Sequence, residues 1–259
     1  MQSSQPVSPL LRKLVLSKNL DLFGATLILI TCIVRDFLGT VYFEGQIQFG
    51  VPISELWNYV TRGAYPLGVF STIGAVFSLL STRLIGKQNN WGNFIGIITT
   101  INSGANDYLF GNRSAIITYP ITFFVTLFAT YNWHKGEKIR KIDLRYFIII
   151  SLSMIIAYGL VYLGFQLFGG LDSSLFFHTV AITFGLSLGA NAANSLKYEE
   201  TWLSWMIYNA VQLVKNIIQM NIANVAKYVF YLFNAVITLL DWKWNGDKDR
   251  GQVAVDSGS

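Results

Sequence analysis

The sequence predicts an all-α polytopic membrane protein with eight transmembrane helices. One N-terminal helix precedes a 3+1+3 core of two parallel three-helix repeats joined by a linker helix. Three observations carry this expectation. Charged side chains make up 13% of the 259 residues and hydrophobic ones 53%, whereas a soluble chain averages about 25% charged. Mean hydropathy is +0.45. Eight spans of about 20 residues would use about 160 residues, which leaves loops and tails but no large extramembrane domain. Finally, Trp91 and Trp133 lie 42 residues apart, as do Trp202 and Trp244, and the two pairs are offset by 111.

The apolar segments, in order, cover 20–37, 64–83, 91–109, 114–133, 146–168, 176–195, 202–219 and 227–242. The first follows a basic flank of Arg12, Lys13 and Lys18. It is read as a helix rather than a cleaved signal, because no small-residue cleavage pattern follows and Leu29-Ile30-Thr31-Cys32 only loosely resembles a lipoprotein box. Between the first two segments, Ser54 is expected to cap a short interfacial helix carrying Leu56, Trp57 and Tyr59. At the tryptophan offset Gly74 falls on Gly185 and Phe94 on Trp205, so segments two to four match six to eight. A three-helix unit ends on the side opposite its start. Segment five must therefore return the chain before the unit repeats in the same orientation. The resulting units are 1–63 (N-terminus, extra helix and interfacial segment), 64–133 (first repeat), 134–168 (basic loop and linker helix), 169–244 (second repeat) and 245–259 (polar tail).

Orientation follows from Lys and Arg. Fourteen fall on one side, among them Arg12, Lys13, Lys18, Arg83, Lys87 and the 135–145 cluster. Four fall on the other, namely Arg35, Arg62, Arg113 and Lys227. Both termini are therefore expected in the cytoplasm. Lys215 lies inside a span and is expected to snorkel outward. The pI near 9.2 is read as this loop charge, not as a nucleic-acid surface.

Segment seven carries the strongest functional signal. Trp202, Trp205, Asn209, Gln212, Asn216 and Gln219 are spaced 3, 4, 3, 4, 3, which puts all six on one helix face. Lipid penalises such a face, so it should look into the protein or a water-filled path. A polar seam would need only one or two amides. Thr99, Asn102 and Asn106 match Asn209, Gln212 and Asn216 at an offset of 110, one short of the tryptophan offset. Segment eight supplies Tyr231, Asn234, Thr238 and Asp241, and segment six supplies Thr183, Ser187, Asn191 and Asn194. The threonines of segment four, Thr118, Thr122, Thr126 and Thr130, are expected to bond their own backbone. The candidate substrate-binding set is Trp202, Trp205, Asn209, Gln212, Asn216, Tyr231, Asn234, Asn102, Asn106, Asn191 and Asn194.

Several classes are disfavoured. The lone Cys32 rules out a disulfide framework, and His134 and His178 are too few for a histidine metal cluster. No nucleophile–base set, phosphate loop or zinc spacing appears, so neither an enzyme nor a cofactor or metal is expected. Asp36, Asp107 and Asp241 sit near span ends, so no midplane carboxylate for proton or sodium coupling is expected. The pocket should then be free of fixed charge. Gly92-x-x-x-Gly96 and Gly185-x-x-x-Gly189 are assigned to helix packing.

The unit Trp91-Gly92-Asn93-Phe94-Ile95-Gly96 through Trp133, with its partner Glu200-Thr201-Trp202-Leu203-Ser204-Trp205 through Trp244, resembles the PnuC family of bacterial vitamin transporters. The resemblance covers about residues 64–244, and its layout shares the pseudo-symmetry of SWEET proteins. It implies uptake of nicotinamide riboside, a vitamin B3 precursor, across the bacterial inner membrane by facilitated diffusion with trapping inside the cell. Related members take thiamin or riboflavin, and a sugar carrier or a non-transporting receptor or scaffold are further readings. Expected partners are this small molecule and the lipid bilayer, with no nucleic acid. A homo-oligomer is compatible with the sequence. Aromatic faces suit a cationic ring, and Asn and Gln suit its carboxamide and ribose hydroxyls.

Overall fold

A computed structural model describes residues 8–87, 89–133, 140–198 and 201–245. Each of the eight apolar segments is a long helix. They are α2 (Lys18–Val34), α4 (Leu67–Gly86), α5 (Trp91–Leu109), α6 (Ala115–Trp133), α7 (Leu144–Phe168), α8 (Ser174–Ser195), α9 (Thr201–Ile218) and α10 (Ile222–Asn245). Two shorter helices join them, α1 (Pro9–Leu16) and α3 (Ile53–Thr61). Four helices are long and apolar enough to cross a membrane: Leu67–Gly86, Leu144–Phe168, Ser174–Ser195 and Ile222–Asp241. A fifth span results if α1 and α2, bent by 52°, count as one. At about 1.5 Å per residue, α5, α6 and α9 are long enough to approach bilayer thickness, with 19, 19 and 18 residues. The amides and hydroxyls of α5 and α9 lower their hydropathy.

Local chemistry fixes the ends. The Ser17, Asp143 and Ser173 side chains accept from Leu20 N, Tyr146 N and Phe176 N at the starts of α2, α7 and α8, which satisfies donors that the first turn leaves open. A short helix, α3, is present where one was expected, but Pro52 occupies its cap and Ser54 lies inside it without capping. Two elements were not expected. One is α1. The other is an antiparallel hairpin, β1 (Val41–Phe43) with β2 (Gln46–Gln48), so the chain is not helical throughout. The hairpin turns at Glu44 and Gly45, both at positive φ (51° and 82°), as a two-residue turn requires.

Packing repeats between the halves. In the first triplet α4 packs on α5 and α5 on α6; in the second, α8 packs on α9 and α9 on α10. The third helix of each triplet then packs on the first of the other, α6 on α8 and α10 on α4. The linker α7 lies mainly against α8, and α2 covers α4 and α10. Helices approach closely where glycines permit it. A Cβ on Gly92 would fall 2.6 Å from Ser81 O, and one on Gly185 would fall 2.5 Å from Met154 Sδ. The packing role expected of both motifs therefore holds at these positions. The outer surface is apolar, as on α7, where Leu152, Ile155, Ile156 and Tyr162 are exposed; such a surface suits lipid rather than water.

Loops gather at two ends. At one, Tyr198 Oη donates to Asp143 Oδ1 and Arg140 N to Lys197 O. At the other, Leu171 N donates to Gly111 O, Ser71 Oγ to Asn221 Oδ1, and Phe37 stacks on Phe110.

Candidate functional site

Between the triplets lies a cavity of about 170 Å³, lined by α4, α5, α6, α8, α9 and α10. Its walls are mainly hydroxyls, amides and aromatic rings. Serines and threonines face it from α4, α5 and α6, Thr183, Ser187 and Asn191 from α8, and Trp205, Tyr208, Asn209 and Gln212 from α9. Tyr228 and Tyr231 close it from α10.

Five expected site residues line this space: Trp205, Asn209, Gln212, Tyr231 and Asn191. Asn209 is 3% exposed and its Oδ1 has no hydrogen-bond partner. A buried amide oxygen without a partner costs about 1–3 kcal/mol. Gln212 Nε2 donates to Tyr208 Oη at 2.8 Å, and Tyr231 Oη shares a 2.9 Å hydrogen bond with Ser78 Oγ. Trp205 meets Tyr208 edge to face, with centroids 5.0 Å apart.

Asn216, Asn102, Asn106, Asn194 and Asn234 do not line it. Asn216 Nδ2 donates to Gln212 O and Oε1 and so supports the cavity from behind. Asn102 turns to Phe70 O, and Asn106 is buried outside the lining. Asn194 reaches Asn93 Oδ1. Asn234 Oδ1 accepts from Arg83 Nη1 at 2.6 Å, which turns it toward the N-terminal segment. The Trp202 side chain lies outside the described residues, as does that of Thr130. On α5 the lining positions are Asn93, Gly96, Thr99, Thr100, Ser103 and Asp107, which leave out Asn102 and Asn106. The amide match between repeats therefore fails after Thr99, because α5 presents a neighbouring stripe. The threonines of α6 do more than bond their own backbone. Thr122 Oγ1 donates to Thr118 O, yet Thr118, Thr122 and Thr126 also line the cavity.

The expectation of a site without fixed charge is overturned. Asp107, Lys215 and Lys227 all face the cavity and are 7%, 3% and 4% exposed. Lys215 does not snorkel. Its Nζ donates to both Asp107 oxygens at 2.9 Å. Gln219 Nε2 adds a bond to Oδ1, while Asn112 Nδ2 and Tyr119 Oη reach Oδ2. A desolvated carboxylate persists only with this kind of pairing. Lys227, expected at the outer end of segment 227–242, is the sixth residue of α10 and sits over the Tyr228 and Tyr231 rings, 4.4 and 5.7 Å from their centroids.

Arg83, expected as cytoplasmic loop charge, is 1% exposed. Its guanidinium donates to Asp21 Oδ1, Asn234 Oδ1, Val15 O and Ser17 O. Lys87 also reaches Asp21, and Arg12 Nη1 donates to fully buried Asp241 at 2.7 Å. Three charged links thus fasten α1 and α2 to α4 and α10.

The family model described as "Nicotinamide mononucleotide transporter" matches residues 68–244, the span that holds every helix of the cavity. The chain belongs to this family of membrane transporters. Family membership and the apolar helices make it a multi-pass membrane transporter rather than an enzyme. A solved structure described as "Crystal structure of the Vitamin B3 transporter PnuC" is similar, with a TM-score of 0.61 and 16% identity. The alignment covers 91% of this chain and 97% of that one, so the two share a fold. No curated protein matches the chain in sequence.

Proposed function

We propose that the protein carries nicotinamide riboside, a vitamin B3 precursor, across the bacterial inner membrane. The observation that carries the reading is a polar, aromatic-walled cavity between two helix triplets, with Asn191, Asn209 and Gln212 in its lining. Amide side chains suit a carboxamide or ribose hydroxyls, and Trp205, Tyr208, Tyr228 and Tyr231 supply faces for the ring. The family description and the likeness to a vitamin B3 transporter support the same substrate class.

In this reading all eight long helices span the bilayer. The units 64–133 and 169–244 are parallel repeats, with 134–168 as connector, 1–63 as an added N-terminal module and 245–259 as a tail. The termini are cytoplasmic, as the distribution of Lys and Arg favours. Transport is facilitated diffusion, with chemical trapping inside the cell. Asp107 is the one carboxylate of the described cavity lining, and its oxygens are taken by Lys215, Gln219, Asn112 and Tyr119. Such a saturated group is a poor carrier for a coupling proton or sodium ion. Of the candidate residues, Trp205, Asn209, Gln212, Tyr231 and Asn191 touch substrate in this proposal.

Uptake of labelled nicotinamide riboside into proteoliposomes tests the reading. Equilibration without an ion gradient is expected. Accumulation that needs an imposed gradient would overturn facilitated diffusion, and absence of uptake would overturn the transport assignment.

A further inference from the structure

A groove of about 630 Å³ lies between α5 and α6, lined from Thr100 to Leu109 on α5 and from Ala115 to Phe124 on α6. Its walls are almost wholly carbon, and Ile101, Ile116 and Phe124 are exposed along it. The small Gly104, Ala105 and Ala115 leave space that larger side chains would fill. From Thr100 to Leu109 is nine helical steps, about 14 Å at about 1.5 Å per residue. That is close to half of a hydrocarbon core of about 30 Å, so the groove has the depth of one leaflet. It ends at the α5–α6 loop, where Arg113 stands half-buried. The guanidinium carbon lies 4.2 Å over the ring of Tyr108, which lines the groove, and Tyr42 offers it a hydroxyl. No carboxylate pairs with Arg113 among the described residues.

We propose that this groove is a phospholipid site, in which one acyl chain lies between α5 and α6 and the head-group phosphate pairs with Arg113. Two features select a lipid over a second copy of the chain. The groove is as deep as one leaflet, and its cation stands at the level where head groups lie. A guanidinium fork matches phosphate oxygens bidentately, and an apolar slot without polar groups to satisfy suits a methylene chain. The site does not rest on the nicotinamide riboside reading, yet it adjoins the transport cavity. Thr100 and Tyr119 line both spaces, and Tyr119 Oη donates to Asp107 Oδ2 at 3.2 Å. A bound acyl chain therefore packs against a residue that holds the Asp107–Lys215 pair.

The test is native mass spectrometry of the full-length chain in detergent, titrated with dioleoyl phosphatidylglycerol. Dioleoylglycerol supplies the same acyl chains without the phosphate. Phosphatidylglycerol is expected to be retained. Removing the phosphate from the lipid, or the charge from the protein with Arg113→Gln, should each weaken binding by about tenfold or more. A phosphatidylglycerol with a diazirine on its acyl chain locates the site. Its adducts should fall within residues 100–124, and Ala105→Phe, which fills the groove, should remove them. If Arg113→Gln is not monodisperse, the dioleoylglycerol comparison and Ala105→Phe decide the same question. Adducts confined to other helices, or adducts that Ala105→Phe leaves unchanged, would overturn the site. Equal retention of the two lipids would overturn the role of Arg113. Absence of adducts together with cross-linking between chains at Ile116→Cys would give the groove to a second copy and overturn the lipid. Loss of nicotinamide riboside uptake would bear on the transport reading alone and leave these binding outcomes to decide the site.

Discussion

The Lys215 ammonium grips both oxygens of the Asp107 carboxylate at 2.9 Å, which joins the middle helices of the two triplets across the cavity. Residues 108 positions apart in sequence thereby form one neutral unit inside a membrane protein.

Breaking that unit should be costly. Lys215→Met leaves a buried carboxylate without its cation, and Asp107→Asn leaves a buried ammonium; each should lose about 3–5 kcal/mol of stability. The combined Asp107→Asn/Lys215→Met variant should lose less than the two single losses together, because neither charge is then stranded. Thermal unfolding of detergent-solubilised protein reads this directly, and simple additivity would mean the pair is not coupled.

The cavity face of α9 should govern affinity. Trp205→Ala, Asn209→Ala and Gln212→Ala should each weaken nicotinamide riboside binding by about 5- to 150-fold, as loss of a partner worth about 1–3 kcal/mol implies. Val214→Ala, on an exposed face of the same helix, should leave affinity unchanged. Calorimetry on monodisperse protein compares the four. Unchanged affinity in the first three would make the stripe structural.

Removing Arg83 should detach the N-terminal segment. Arg83→Ala removes one of the two cations on Asp21, leaving Lys87, and frees Asn234 and the Val15 carbonyl. A stability loss of about 1–3 kcal/mol is expected from the lost hydrogen bonds, with faster proteolysis around α1. Arg12→Ala, which removes a cation from buried Asp241, should move in the same direction. Limited proteolysis followed by mass analysis locates the released segment.

Sidedness is open to labelling. The native Cys32 is fully buried and should resist a membrane-impermeant maleimide in intact cells. Leu10→Cys, at a position 79% exposed, should label only after the cells are opened. Labelling in intact cells would place the N-terminus outside.

Much of the helix order was legible in the sequence. The apolar runs stop where Gly, Asn or charge appears, as at Gly86–Trp91 and Gly169–Ser174. The hairpin was legible in part, since Val41-Tyr42-Phe43 and Gln46-Ile47-Gln48 flank Glu44-Gly45, a turn candidate obscured by the absence of Asn or Asp before the Gly. Helix α1 is only eight residues long, too short for periodicity to stand out. At the site, spacing placed Trp205, Asn209 and Gln212 on the lining face but misplaced the lysines. A lysine within a span ordinarily reaches for the interface. Nothing local at Lys215 reveals Asp107 opposite, and nothing local at Asn234 reveals that Arg83 occupies its oxygen. Such pairings are properties of tertiary contact.

The fastening of α1 and α2 to α10 sets a schedule for biogenesis. Arg12 of α1 and Asp241 of α10 meet across 229 positions, so α1 finds this neighbour only once α10 has been made. Until then Asp21, Arg83 and Lys87 can hold α2 to α4, while the face of α2 that will meet α10 waits in lipid or against the insertion machinery. The arrival of α10 is therefore the closing step, and a ribosome stalled before residue 222 would present an unfinished bundle to membrane quality control.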